Sequence, residues 1–139
     1  MKPLIVIIED CPIQREVTRR TMGTSGVVIP DSPEAVTSVE ISRVCLVVTD
    51  RFMPLDWEAA RDSLLAMLTD VKVVEWTSSA GLLGISDEHQ LPRASAVYPK
   101  SGDCSELKQL IQESLAAGIT RSDVAPYFNP LQSIVEVPQ

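Results

Sequence analysis

Leu46-Val47-Val48-Thr49-Asp50-Arg51-Phe52-Met53-Pro54 runs from aliphatic residues straight into a carboxylate, with Met-Pro close behind. An apolar run this short, ended by a charge and a proline, predicts a buried strand giving way to a loop. Asp50 then stands at the carboxyl end of a strand, the edge at which open α/β sheets bind ligands. Taken alone, Asp50 is better explained as the cap of the next helix. The other carboxylates of the chain change that reading.

Outward from this strand the chain alternates. Leu4 to Ile8 is continuous and largely β-branched, which predicts a strand buried on both faces, and it ends in Glu9-Asp10. Pro12 follows where a first helical turn would fall and its missing N–H costs nothing. A helix to about Met22 is expected, with Ile13, Val17 and Thr21 on one face and Gly23 and Gly26 closing it. Val27-Val28-Ile29 predicts a short second strand. Ser32 then caps a short helix that starts at Pro33, runs through Ala35, Val36 and Val39 and ends near Ser42. Val44 to Thr49 is the third strand. Asp56 opens a third helix in which Trp57, Ala60, Leu64, Met67 and Leu68 form an amphipathic stripe.

Val71 to Trp76 predicts a fourth strand, interrupted by Lys72 and Glu75, with the hydroxyl-rich Thr77-Ser78-Ser79 at its end. Ala80 to Gln90 gives the poorest helical signal, weakened by Gly81 and Gly84 and stopped by Pro92. Ala94 to Tyr98 is a fifth strand and Pro99 to Gly102 the loop after it. A fifth helix spans about Cys104 to Ala117, capped by Asp103 and stopped by Gly118, with Leu107, Leu110, Ile111 and Leu115 on one face. Five strands alternating with five helices predict an α/β, doubly wound, flavodoxin-like fold. Its parallel sheet is joined by right-handed crossovers over residues 1–118, with 119–139 as a C-terminal tail or linker.

Composition narrows the function classes. The chain of 139 residues fits one domain, and 45% hydrophobic with 22% charged residues suits an ordinary globular core. No aliphatic run approaches a membrane span, and no cleavable signal is visible, so a cytoplasmic location is expected. A net charge of −7, with 12 Lys and Arg against 19 Asp and Glu, disfavours nucleic acid. Three cysteines at unrelated spacings (Cys11, Cys45, Cys104) form no disulfide framework or zinc site, and a single histidine, His89, supports no histidine cluster. Cys45, Trp57 and Trp76 read as packing residues.

The strand ends collect the chemistry. In a sheet of order 2-1-3-4-5, strands one and three are neighbours at the switch point, so Glu9, Asp10 and Asp50 converge in one crevice. Three carboxylates held together repel one another unless a cation sits between them. An all-oxygen set of this kind suits Mg²⁺, which keeps several waters and accepts a phosphoryl oxygen. Thr77, after strand four, offers a hydroxyl to that oxygen. Lys100, after strand five, offers a positive charge to it or to Asp50. A carboxylate beside Mg²⁺ can act as a nucleophile toward phosphorus, with the metal and the lysine neutralising the charge on the transferred group.

This arrangement resembles the receiver domains of two-component response regulators, of the chemotaxis protein CheY type, over about residues 3–117. The resemblance rests on Glu9-Asp10, on Asp50 with Met53-Pro54 after it, on Thr77 and on Lys100, in this order and at the tips of four strands. It implies that Asp50 takes a phosphoryl group from the histidine of a sensor histidine kinase or phosphotransfer protein. It implies that Asp10 and Asp50 bind Mg²⁺ directly, that Glu9 acts mainly through water, and that the backbone carbonyl of Phe52 is the third protein ligand. Thr77 would follow the phosphoryl group inward, and Lys100 would bridge to it. The domain would catalyse its own phosphorylation and dephosphorylation, a signalling role rather than turnover of a separate substrate, and would pass the signal to a downstream protein target. Three positions depart from the family pattern. Ser101 stands where Pro usually follows the lysine, Leu55-Asp56-Trp57 replaces a customary Gly, and Tyr98 lies later than the usual switch aromatic.

Two other readings use the same residues. A docking module would keep the fold and signal without phosphate, as Ser101 and the irregular 80–93 segment suggest. A Mg²⁺-dependent phosphohydrolase would use an aspartate nucleophile, but the sequence offers no substrate pocket and no second, general acid near Asp50 beyond the metal-binding carboxylates, and Arg51 is a poor general acid. The last twenty or so residues are too few for a DNA-binding module, so either the receiver stands alone or the chain belongs to a longer protein. That tail is expected to be a linker, with a segment packed on its own domain or a homodimer contact as alternatives.

Overall fold

Leu4–Ile8 (β1) and Val44–Thr49 (β3) are the strands with the longest unbroken aliphatic runs, and they lie side by side in the computed structural model, which describes residues 2–51, 53–77, 91–100 and 104–117. With Val27–Val28 (β2), Lys72–Thr77 (β4) and Ala94–Pro99 (β5) they form one parallel sheet in the order β2-β1-β3-β4-β5. Every residue of β1 is buried, as a strand covered on both faces requires. Each such aliphatic side chain contributes about 1.5–3 kcal/mol of burial, set against the entropy of ordering the chain.

Side-chain alternation along the strands gives the sheet two cores. On one face Val6, Ile8, Val47 and Val73 pack against Val36 of helix α2 (Pro33–Val36) and against Trp57, Ala60, Leu64 and Leu65 of α3 (Leu55–Met67). On the other face Ile5, Ile7, Leu46, Val48, Val74 and Trp76 meet Met22 of α1 (Pro12–Met22) and Leu107 and Ile111 of α4 (Ser105–Ala117). Cys45 is partly buried against this second core. The sheet order and its helical layers are those expected from the sequence, with four α-helices among the described residues. The helix expected over Ala80 to Gln90 lies outside them, as do His89, Asp103 and the tail 119–139.

Local chemistry explains where expectation and structure part. Helix α1 does not bury Ile13 and Val17, which are 79% and 45% exposed; it buries Thr18 and Met22. Thr18 is tolerated there because its hydroxyl donates to the carbonyl of Gln14 at 2.7 Å. The second helix ends at Val36 and is followed by a separate 3₁₀ turn at Ile41–Arg43. Its start is as expected, Ser32 Oγ accepting from the N–H of Ala35 at 3.2 Å. Met67 of the α3 stripe is 41% exposed, and Leu65 takes its place in the core. Gly23 ends α1 with ordinary φ, whereas Gly26 adopts φ 92° at the turn into β2, a conformation that favours glycine. Among the described residues, no helix is long and apolar enough to cross a membrane.

Candidate functional site

Parallel pairing at the sheet's carboxyl edge assembles the site. The β1–β3 register sets Ile8 opposite Thr49, so that Glu9-Asp10 and Asp50 emerge from adjacent strand tips. The β4–β5 register sets Thr77 opposite Pro99, and the backbone N–H of Lys100 donates to the carbonyl of Thr77 at 3.1 Å. Glu9, Asp10 and Asp50 each present a carboxylate oxygen within 4.8 Å of the others. The structure therefore brings the three predicted acids together. Thr77, buried, ends the neighbouring strand, and Phe52 lies outside the described residues.

Lys100 ties the cluster. Its Nζ donates to Asp50 Oδ2 at 2.9 Å and also to Glu9 Oε1. It lies 5.4 Å from the centre of the Trp76 ring, within range of a cation–π contact. The remaining oxygens are oriented by backbone: Asp50 Oδ1 accepts from the N–H of Arg51 at 2.7 Å, and Glu9 Oε2 accepts from the N–H of Cys11 at 3.3 Å. Burial pushes the Glu9 carboxyl above its ordinary pKa, aided by the Asp50 charge and only partly opposed by Lys100 and the Cys11 amide. Burial alone would lower the Lys100 pKa, but its bonds to Glu9 and Asp50 outweigh that and raise it, so it stays a cation.

Arginines hold the two loops that carry the acids. Arg15 of α1 donates to the carbonyls of Glu9 and Asp10, each at 3.1 Å, with its guanidinium 5.6 Å from the Trp57 ring. Arg61 of α3, buried, donates to the carbonyl of Arg51 at 3.2 Å. Arg51 itself is buried and pairs with Glu75 of β4 at 2.5 Å. Sequence reasoning missed this framework. A usable signal was present in Glu75: a carboxylate within a strand flanked on both sides is buried and calls for a cation nearby.

The acidic cluster could bind a metal ion. Its ligand atoms are all carboxylate oxygens, their spacing lets a single ion reach all three, and Asp10 and Asp50 keep some exposure. That donor set fits a hard, oxygen-preferring divalent cation.

Sheet order and helix placement define a CheY-like α/β fold. No protein-family model matches the sequence, and no curated protein matches it either. Solved structures do. The response regulator StyR aligns over 96% of this chain and 69% of its own, with TM-score 0.63 at 20% identity. A chain from the complex of histidine kinase ThkA with response regulator protein TrrA aligns over 81% of this chain and 98% of its own, with TM-score 0.60 at 21% identity. A structure described as adenylate cyclase from Rhodopirellula baltica aligns over 97% of this chain and 100% of its own, with TM-score 0.61 at 11% identity. Identities this low establish a shared fold, and a fold hosts more than one activity, so function must be argued from the site.

Proposed function

We propose that the chain is a receiver domain whose Asp50 accepts a phosphoryl group in a Mg²⁺-dependent reaction and thereby switches a protein-interaction surface. One observation carries the reading: three strand-tip carboxylates within 4.8 Å of one another, with Lys100 bonded to both Glu9 and Asp50. Asp10 and Asp50 would hold the ion directly, Glu9 mainly through water, and the backbone of Phe52 would supply a further oxygen. When bound, Mg²⁺ neutralises charge on the transferred group. The chain's own residues supply the rest. An Asp50 oxygen attacks phosphorus, the bond from phosphorus to the donor's histidine nitrogen or acyl oxygen breaks, and the leaving group departs with the electron pair. The amide of Arg51 and Lys100 orient the attacking carboxylate. Lys100 then pairs with a phosphoryl oxygen, and the Thr77 hydroxyl donates to another.

The donor would be a sensor histidine kinase or a phosphotransfer protein in the cytoplasm, and the readout a downstream protein target. The chain would serve as a phosphoacceptor rather than as an enzyme on a separate substrate. A phosphohydrolase reading needs a free general acid beside Asp50; Arg51, next in sequence, is committed to Glu75, and both oxygens of Glu9 are engaged, by Lys100 and by the N–H of Cys11. Intact mass after incubation with Mg²⁺ and acetyl phosphate tests the proposal. A single phosphoryl adduct, absent in Asp50→Asn, is expected. No adduct under any donor would leave a docking module with a receiver fold.

A further inference from the structure

The most deeply buried ion pair among the described residues joins Arg51 Nε to Glu75 Oε1 at 2.5 Å, with side chains 3% and 0% exposed. Arg51 is the residue immediately after Asp50, and its backbone N–H, its carbonyl and its Nε are each engaged. Its N–H donates to Asp50 Oδ1 at 2.7 Å, its carbonyl accepts from Arg61 at 3.2 Å, and its side chain crosses to β4. Glu75 faces Thr49 in register and lies two residues before Thr77. Its second oxygen accepts from the N–H of Leu91 at 2.5 Å, at the far end of the β4–β5 connection. A buried ion pair is a poor way to stabilise a fold, because apolar residues of similar volume often serve as well or better. Its geometry, however, is specific: one carboxylate fixes the peptide that follows Asp50 and the chain that leads into β5.

We infer that Arg51 and Glu75 are positioning residues, clamping the peptide after Asp50 so that the Asp50 carboxylate and the adjoining backbone face the acidic pocket in one fixed arrangement. The inference rests on the reading of that pocket as a divalent-cation phosphoryl site. The clamp acts on the site from outside it, as do the outer partners of metal ligands, whose loss costs roughly 10- to 100-fold in affinity or activity.

The test is the double substitution Arg51→Met with Glu75→Leu, which removes both charges and keeps apolar volume. Urea unfolding measures stability, and Mg²⁺ affinity is read from the fluorescence of Trp57 and Trp76, which lie beside Arg15 and Lys100. The rate of adduct formation with acetyl phosphate is measured alongside. The expected result is a urea midpoint near that of the wild type, Mg²⁺ affinity weakened about tenfold, and adduct formation slowed by a similar factor. A stable double variant with unchanged Mg²⁺ affinity and rate would overturn the inference and leave the pair purely structural. Glu75→Gln, which keeps the volume and one acceptor, is measured in parallel in case the double variant does not fold; unchanged Mg²⁺ affinity there would overturn the inference equally. A wild-type protein that binds Mg²⁺ but takes no phosphate would sink the receiver reading alone, because the affinity shift would still decide the clamp. A wild-type protein that binds no Mg²⁺ would sink both.

Discussion

Replacing Lys100 with Ala removes the only cation bonded to the pocket carboxylates among the described interactions, and leaves Glu9 and Asp50 facing Asp10 without their counter-charge. The Glu9 side chain is 3% exposed and that of Asp50 is 15%, so water cannot fully replace the ammonium. Truncating one partner of a buried pair costs about 3–5 kcal/mol, chiefly because it strands the other charge. Asp50 is partly hydrated and Glu9, its pKa already raised, can take a proton, so the cost falls to or below the bottom of that range, about 2–3 kcal/mol. At roughly 3–4 °C per kcal/mol for a domain of this size, Tm in EDTA should fall by about 6–12 °C. Mg²⁺ should then repair the variant, since a ligand at a hundredfold excess over its Kd returns about 2.7 kcal/mol. Differential scanning fluorimetry of both proteins, with EDTA and across a Mg²⁺ series, measures this. The Mg²⁺-induced rise in Tm should be larger in Lys100→Ala than in the wild type, where the lysine already offsets part of the charge. Equal melting of the two proteins in EDTA, or an equal Mg²⁺ effect on both, would refute the reasoning.

Three further outcomes are expected. Leu64→Ala empties a fully buried site between α3 and the sheet and should cost about 2–5 kcal/mol in urea unfolding; a loss well under 1 kcal/mol would mean that the core is not packed as described. Because the folded-state pKa of Glu9 is raised, its ionisation disfavours folding, so its favourable contribution is full below the unfolded value and is lost as pH rises through the folded one. Glu9→Gln should therefore gain stability relative to the wild type between about pH 4 and neutrality, and urea midpoints whose difference stays flat or falls with pH would contradict that sign. Arg93 donates to the carbonyls of Leu65, Leu68 and Val71 at 2.7, 2.8 and 2.9 Å, closing the end of α3 from the start of β5. Arg93→Ala should cost about 1–3 kcal/mol and speed amide exchange in the last turn of α3, and unchanged exchange there would argue against the cap.

The sheet was legible because burial on both faces leaves a plain trace. In β1 and β3 no polar residue interrupts the aliphatic run before the strand tip, so the end of the run marks the position of the acids. Strand order then brought Glu9, Asp10 and Asp50 together without any tertiary information. Helix faces were harder to read. Ile13 and Val17 share a face of α1, but the neighbouring face reaches the sheet, and Thr18 can be buried there by bonding its own helix. The arginine framework was hidden for a different reason. Periodicity reports apolar faces, whereas Arg51, Arg61 and Glu75 are buried by mutual pairing and backbone bonds that sequence spacing does not encode. Lys100 directly follows β5, and its bond to Glu9 as well as Asp50 depends on side-chain reach that spacing does not encode.

Chemical trapping at residue 50 tests the central claim most directly. The protein is incubated with Mg²⁺ and acetyl phosphate, reduced with borohydride, which converts an aspartyl phosphate to homoserine, and mapped by peptide mass spectrometry. Homoserine at position 50 alone, dependent on both Mg²⁺ and donor, is the expected outcome. Homoserine at another aspartate, or none in a protein shown to be folded, would contradict the account.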